Sequence, residues 1–282
     1  MEKLQIAIEK ARASRLAQRG VTSHEDSAPE APVVTLAEQV GAWAALPEMT
    51  LDPKVLEKNR VISNLQGQHA AYYDILRTRL RDEAKRRGIR RIAITSTRPQ
   101  AGKSTTLANV SLAFARMPHY RTMVFDFDLR RPSLARILGQ TPEHNMGEVL
   151  RGEVRFEDHI LRYGANVAYG LNSVAVPNSS ELLQSEQTHD FLNAVEEIYQ
   201  PDLMLFDMPP FLAADDTQGF LGFIDGVLLI VEAEKTTRHQ LDAVEQKLSE
   251  LTTVVGVVLN KCPFPDESDA GSYGYGGYGY GY

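Results

Sequence analysis

The feature that most constrains this chain is the triplet Gly102-Lys103-Ser104, set at the seam between a short apolar run and a helical one. Arg91 to Thr95 is short, apolar and rich in β-branched residues, which suits a buried strand. The helical pattern begins at the triplet itself. A strand running through Gly-Lys-Ser into a helix places consecutive backbone N–H groups and a helix N-terminus around one point, a natural cradle for phosphate. The same alternation continues down the chain. Strands are expected at Thr122–Phe127, Val167–Leu171, Leu203–Asp207, Val227–Val231 and Val254–Leu259, with helices at Gln68–Arg87, 181–199 and 236–251. Short apolar strands alternating with helices predict an α/β fold: a doubly wound, mostly parallel sheet with helices on both faces. Right-handed crossovers then bring the loops after the strands to one edge of that sheet.

Three of those loops carry chemistry. The first, Thr97 to Thr105, reads T-R-P-Q-A-G-K-S-T, with Thr97 where the strict phosphate-loop pattern has its first glycine. Here Gly102, Lys103, Ser104 and Thr105 are the nucleotide-binding candidates, Lys103 reaching the β- and γ-phosphates and the Ser104 hydroxyl ligating Mg²⁺. The second loop ends a strand with Asp126-Phe127-Asp128-Leu129-Arg130. Two carboxylates two residues apart point the same way and repel unless a cation lies between them. The third delivers Asp207 from Leu205-Phe206-Asp207-Met208-Pro209-Pro210, the position from which an aspartate holds Mg²⁺ through water. Together they predict a P-loop NTPase-type fold binding a nucleoside triphosphate with Mg²⁺. Asn260-Lys261 ends the last strand, where such folds read the base. Pro263 stands where a guanine reader would need a carboxylate, so ATP is favoured, with Asn260 as the base-reading candidate.

The remaining segments set the boundaries. Met1 to Arg19 reads as an amphipathic helix, with Leu4, Ala7, Ile8 and Ala11 on one face, able either to fold back or to dock on a partner. The division expected is an N-terminal helix over 1–20, a linker or weakly periodic extension over 21–65, a nucleotide-binding domain over 66–265 and a flexible tail over 266–282. That tail is glycine and tyrosine almost throughout from 271 on, with Tyr273, Tyr275, Tyr278, Tyr280 and Tyr282. Beside a nucleotide site, such a tyrosine cluster reads as the phosphoacceptor. A net charge of −7 argues against nucleic acid as a partner, and the basic run Arg77–Arg91 reads as a solvated helix face, with an anionic membrane surface as the alternative. One cysteine, Cys262, excludes an internal disulfide framework. With no apolar run of ~18–20 residues and no secretory signal, a soluble, cytoplasmic protein is expected.

From about Ala70 to the C-terminus the sequence resembles the bacterial tyrosine kinases of the soluble type that partner a membrane protein in exopolysaccharide and capsule export. The resemblance rests on GKSTT, on D-x-D-x-R at Asp126, Asp128 and Arg130, on FDMPP with Asp207, and on the tyrosine tail, with support from Ser179-Ser180-Glu181-Leu182-Leu183 and Asp225-Gly226-Val227-Leu228-Leu229. It implies ATP-dependent autophosphorylation of tail tyrosines between subunits and control of polymer length or export. It also implies a membrane-embedded co-polymerase as activator, recruitment to the inner face of the membrane, and a tyrosine phosphatase as antagonist. The resemblance makes Lys103, Asp126, Asp128 and Asp207 the catalytic set, with Asp128 the preferred group for activating the tyrosine hydroxyl and Arg130 steadying phosphates or acceptor loop. The family's ring-building E-x-x-R-x-x-R aligns here as Ala71, Asp74 and Arg77, keeping only its last position. Two other functions fit a nucleotide site: a ParA/MinD-type ATPase switch, whose signature lysine is Arg98 here, and a catalytically weak nucleotide-binding adaptor.

Overall fold

The computed structural model describes residues 41–63, 68–213 and 215–263. The amphipathic segment 1–20 and the tyrosine tail lie outside the described residues. Strands form where expected: β1 (Arg91–Ser96), β2 (Thr122–Asp126), β4 (Val167–Gly170), β5 (Leu203–Asp207), β6 (Gly226–Glu232) and β7 (Thr253–Asn260). A three-residue strand, β3 (Leu161–Tyr163), is additional and too short for alternation to reveal. The sheet order is β3-β4-β2-β5-β1-β6-β7. Every neighbouring pair is parallel except β3 with β4. The doubly wound expectation is met, and the antiparallel β3 caps one edge.

Alternation along the strands divides the core in two. Ala93, Met123, Phe125, Met204, Phe206 and Leu229 face one layer, and Ile92, Ile94, Val124, Leu203, Leu205 and Leu228 face the other. The first layer is covered by α5 (Met146–Arg151), α6 (Phe156–His159), α8 (Glu186–Tyr199) and α10 (Arg238–Leu251). The second is covered by α1 (Pro53–Lys58), α2 (Gln68–Arg87), α3 (Lys103–Ala115) and α4 (Leu134–Leu138). The single helix expected over 181–199 is two, α7 (Ser179–Leu183) and α8. Ser185 separates them, its side chain capping α8 by accepting from the Thr188 N–H.

Residues 41–63, read as a weakly periodic extension, belong to the packed body. Trp43, Leu46, Met49, Leu56 and Val61 are all buried. The Trp43 indole N–H donates to the Tyr199 carbonyl at 2.7 Å. The Met49 and Arg162 backbones exchange hydrogen bonds with Arg162 and Pro47, so this stretch runs beside β3. Its end is fastened by Asn109 on α3, whose side-chain oxygen accepts from the Ile62 and Ser63 N–H groups. Irregular spacing hid this stretch because its anchors enter the core singly and into different layers.

Candidate active site

Strand alternation puts Asp126 in phase with Val124, and Asp207 in phase with Leu203 and Leu205, so both carboxylates face the layer that contains α3. The two aspartates are direct register partners on adjacent strands. Phe127, between Asp126 and Asp128, faces the opposite layer. There it packs against Phe206 at 5.3 Å and Phe220 at 5.2 Å between ring centres, which fixes the phase of both aspartates.

The phosphate loop meets this pair at the first turn of α3. Gly102 has φ +96°, a left-handed conformation that strains any residue with a Cβ, and the Asn260 side chain packs against it. Asn260 in turn donates to the Ala101 carbonyl at 2.8 Å, and Lys261 donates to Gln100 O at 2.6 Å. The end of β7 therefore buttresses the loop from outside. Thr105 follows on the first turn of α3.

Lys103 lies buried among carboxylates. Its Nζ donates to Asp128 at 2.7 Å and to Asp207 at 3.3 Å. Ser104 Oγ donates to the second oxygen of Asp207 at 2.5 Å. One oxygen of Asp126 accepts from the Ser133 and Leu134 N–H groups, both at 3.1 Å, while the other is buried with no hydrogen-bond partner. Burial acts to lower the lysine's pKa, but Asp207 and Asp128 outweigh it and hold the ammonium above its usual value. Burial pushes Asp126 well above the usual carboxylate range, and the facing Asp207 adds to the shift. Asp207 is raised too, again chiefly by burial, against the pull of Lys103 and Ser104. One cation thus faces three carboxylates, and an orphaned carboxylate oxygen points to a place for more positive charge. A serine hydroxyl and two aspartates suit Mg²⁺, which keeps waters and phosphate oxygens as its other ligands.

Arg130, expected to steady phosphates or acceptor loop, is held at the edge of the site by two aspartates. Its Nε donates to Asp216 at 2.7 Å and a terminal nitrogen to Asp215 at 3.2 Å, at the start of α9 (Asp215–Phe220). The same two aspartates accept from Ser179 and Ser180, at 2.5 and 2.8 Å. Sequence reasoning missed Asp215 and Asp216. A serine pair and an aspartate pair 35 residues apart carry no local signal that they meet.

Fold and site together define a P-loop nucleotide-binding protein. Residues 92–270 match the CobQ/CobB/MinD/ParA nucleotide binding domain, and the chain belongs to that family. Its relatives narrow the comparison. It is 28% identical to the tyrosine-protein kinase YwqD of Bacillus subtilis over 72% of this chain and 85% of the relative. It is 26% identical to the putative tyrosine-protein kinase CapB of Staphylococcus aureus over 67% and 82%. In fold it is similar to the chimerical protein CapA2B2, with a TM-score of 0.66 at 23% identity, covering 80% of this chain and 99% of that one. The likeness to bacterial tyrosine kinases first read from motifs thus extends across the nucleotide-binding domain.

Proposed function

We infer that the protein is an ATP-dependent protein-tyrosine autokinase of the bacterial type, phosphorylating the tyrosine cluster Tyr273, Tyr275, Tyr278, Tyr280 and Tyr282 between subunits. The observation that carries this reading is the buried set Lys103, Asp128 and Asp207, joined by a single ammonium, in a chain whose relatives are tyrosine-protein kinases. Phosphoryl transfer asks for positioning and charge neutralisation more than for covalent chemistry by the protein. In this reading Gly102 and the first turn of α3 receive the phosphates through backbone N–H groups, and Lys103 follows the γ-phosphate. Ser104, Asp126 and Asp207 would hold Mg²⁺, which would supply positive charge against the phosphates. Asp128, released from Lys103, orients the incoming tyrosine hydroxyl and takes its proton as the γ-phosphate leaves ADP for the phenolic oxygen. Asn260, already at the loop, reads the adenine.

The wider setting rests on the resemblance to the bacterial tyrosine kinases carried by the motifs. Regulation of exopolysaccharide or capsule polymerisation and export is proposed, with a membrane-embedded co-polymerase as activator, a phosphatase as antagonist and the cytoplasmic face of the membrane as the place of work. Among the described residues no helix is long and apolar enough to cross a membrane. The expected kinase domain of 66–265 is extended to begin at about 41, since residues 41–63 pack into the same core, and the acceptor tail of 266–282 completes the proposal.

The test is mass spectrometry after incubation with ATP and Mg²⁺. No lysine or arginine follows Lys261, so trypsin releases the tail as one peptide. Phosphate on that peptide is expected in the wild type and reduced about 10²- to 10³-fold in Lys103→Ala. ADP formed without phosphotyrosine, with the activating partner's cytoplasmic segment also supplied, would replace this reading with a ParA/MinD-type ATPase switch. Neither product would favour a nucleotide-binding adaptor.

A further inference from the structure

Among the buried carboxylates that the mechanism above leaves unused is Asp216. Asp216 is fully buried at the first turn of α9. Both of its oxygens are engaged, one by Arg130 Nε at 2.7 Å and one by Ser179 Oγ at 2.5 Å. A fully buried charge is held only where it is paired and hydrogen-bonded, and Asp216 has both kinds of partner. Its neighbour Asp215, by contrast, is an exposed carboxylate. That residue adds a second contact to Arg130 and accepts from Ser180, which in turn accepts from Gln184 at 2.7 Å.

The position of this network matters more than its strength. Arg130 is two residues after Asp128, on the same loop. Asp216 follows the Asp207-Met208-Pro209-Pro210 turn, and α9 is tied back to that turn by Thr217, whose hydroxyl donates to the Pro209 carbonyl at 2.9 Å. Thr95 at the end of β1 donates to the same carbonyl at 2.6 Å. The Arg130–Asp216 pair therefore joins the loop bearing Asp128 to the strand end bearing Asp207. Those two aspartates must lie at fixed distances from one Lys103 nitrogen. The base of the loop is tied by backbone bonds, from Phe127 N–H to the Asp207 carbonyl at 2.9 Å and from Val176 N–H to the Leu129 carbonyl at 2.8 Å. Arg131 N–H donates to both the carbonyl and the carboxylate of Asp128, at 3.1 and 3.2 Å. Beyond Leu129, Arg130 is the side chain that ties the loop to the far side of the site. The outer part of the Arg130 side chain stays half exposed, so the pair is anchored at its buried carboxylate end.

We propose that Asp216 is a positioning residue for phosphoryl transfer. Held by Ser179, it clamps Arg130 and thereby fixes loop 127–132, setting Asp128 at the distance from Lys103 and the γ-phosphate that hydroxyl activation needs. Asp216 touches neither nucleotide nor acceptor. Its consequence for the reaction rests on the kinase reading above, whereas the clamp itself does not.

The experiment compares full-length wild type, Asp216→Asn, Arg130→Gln and the double variant. The first readout is amide hydrogen exchange without nucleotide, which needs no catalysis. Faster exchange is expected in the 127–133 segment of each single variant, with β1 and β5 unchanged and no further increase in the double variant. Unchanged exchange in that segment, or additive effects of the two substitutions, would overturn the clamp. Should Asp216→Asn exchange rapidly throughout, Arg130→Gln carries the same test, since its half-exposed side chain can be replaced without opening the core. The second readout is tail phosphorylation. A fall in kcat of about 10- to 100-fold is expected in each single variant, with KM for ATP within about threefold. The double variant should be no worse than the more impaired single one. A raised KM with kcat retained would assign Arg130 to nucleotide binding and reject the positioning role. If the wild type makes no phosphotyrosine, the kinase reading fails, and the exchange data still decide whether the clamp exists.

Discussion

The two edges of the sheet are built on opposite principles. At one, β3 and β4 are covered: residues 41–63 run beside β3, and Trp43 is buried against Tyr199 with Arg121 over its ring at 5.6 Å. At the other, β7 carries Val257 and Leu259 at 42% and 60% exposure, facing a groove of about 1240 Å³ that is also lined by Tyr72, Ile75 and Leu76 of α2. Sequence hydropathy suggests the reverse. TVVGVVLN of β7 is as apolar as any central strand, while the segment that seals the far edge has no usable period. Apolar composition makes a strand; its place in the strand order decides whether the strand is covered.

The largest effect that would sharpen this contrast is expected at Trp43. Trp43→Ala removes a buried ring and the partner of the Tyr199 carbonyl, and should lower unfolding stability by about 3–5 kcal/mol in urea denaturation. A loss below about 1 kcal/mol would mean that residues 41–63 do not seal the edge. The next concerns His159, at the end of α6 beside the same edge. Burial holds its pKa down to about 4, with His144 lowering and Glu148 raising it. In that window the unfolded chain binds a proton that the folded chain excludes. Stability is therefore full above the ordinary histidine pKa near ~6.5 and falls as pH drops from there towards 4, by up to about 3 kcal/mol. Replacing His159 by Phe should remove this part of the slope in a pH series of thermal melts, and an unaltered slope would show that the imidazole is protonated in the folded state. The smallest effect belongs to the open edge: Leu259→Ser should change stability by no more than about 0.5 kcal/mol. A change above about 2 kcal/mol would break the comparison, since it requires Leu259 to be covered in solution.

How much was legible from sequence follows the same division. Central strands announced themselves because both faces are buried, and the loops of the candidate site because Gly102, Asp126 and Asp207 stand at strand ends and a helix start where local pattern is strict. Lys103, Ser104, Asp128 and Asp207 do meet, with Asp126 beside them as the register partner of Asp207. The partners of Arg130 were not legible. D-x-D-x-R assigns its arginine to the phosphates or the acceptor loop; the two aspartates that hold it come from another loop, a contact that only the tertiary path brings about. Asn260 was read as a base reader; its contact with Ala101 also makes it part of the wall behind the phosphate loop.

The ammonium of Lys103 has a thermodynamic consequence. In the structure it is the counter-ion of Asp128 and Asp207, so on the proposed reading the charge that would meet the phosphates is already committed. Drawing Lys103 towards a γ-phosphate leaves buried carboxylates uncompensated unless positive charge arrives with the anion. Free ATP and free divalent cation should each bind weakly, and each should tighten the other's binding by the same factor, because coupling between two ligands is reciprocal. On that reading the lysine would make the site respond to the product of two concentrations rather than to either alone.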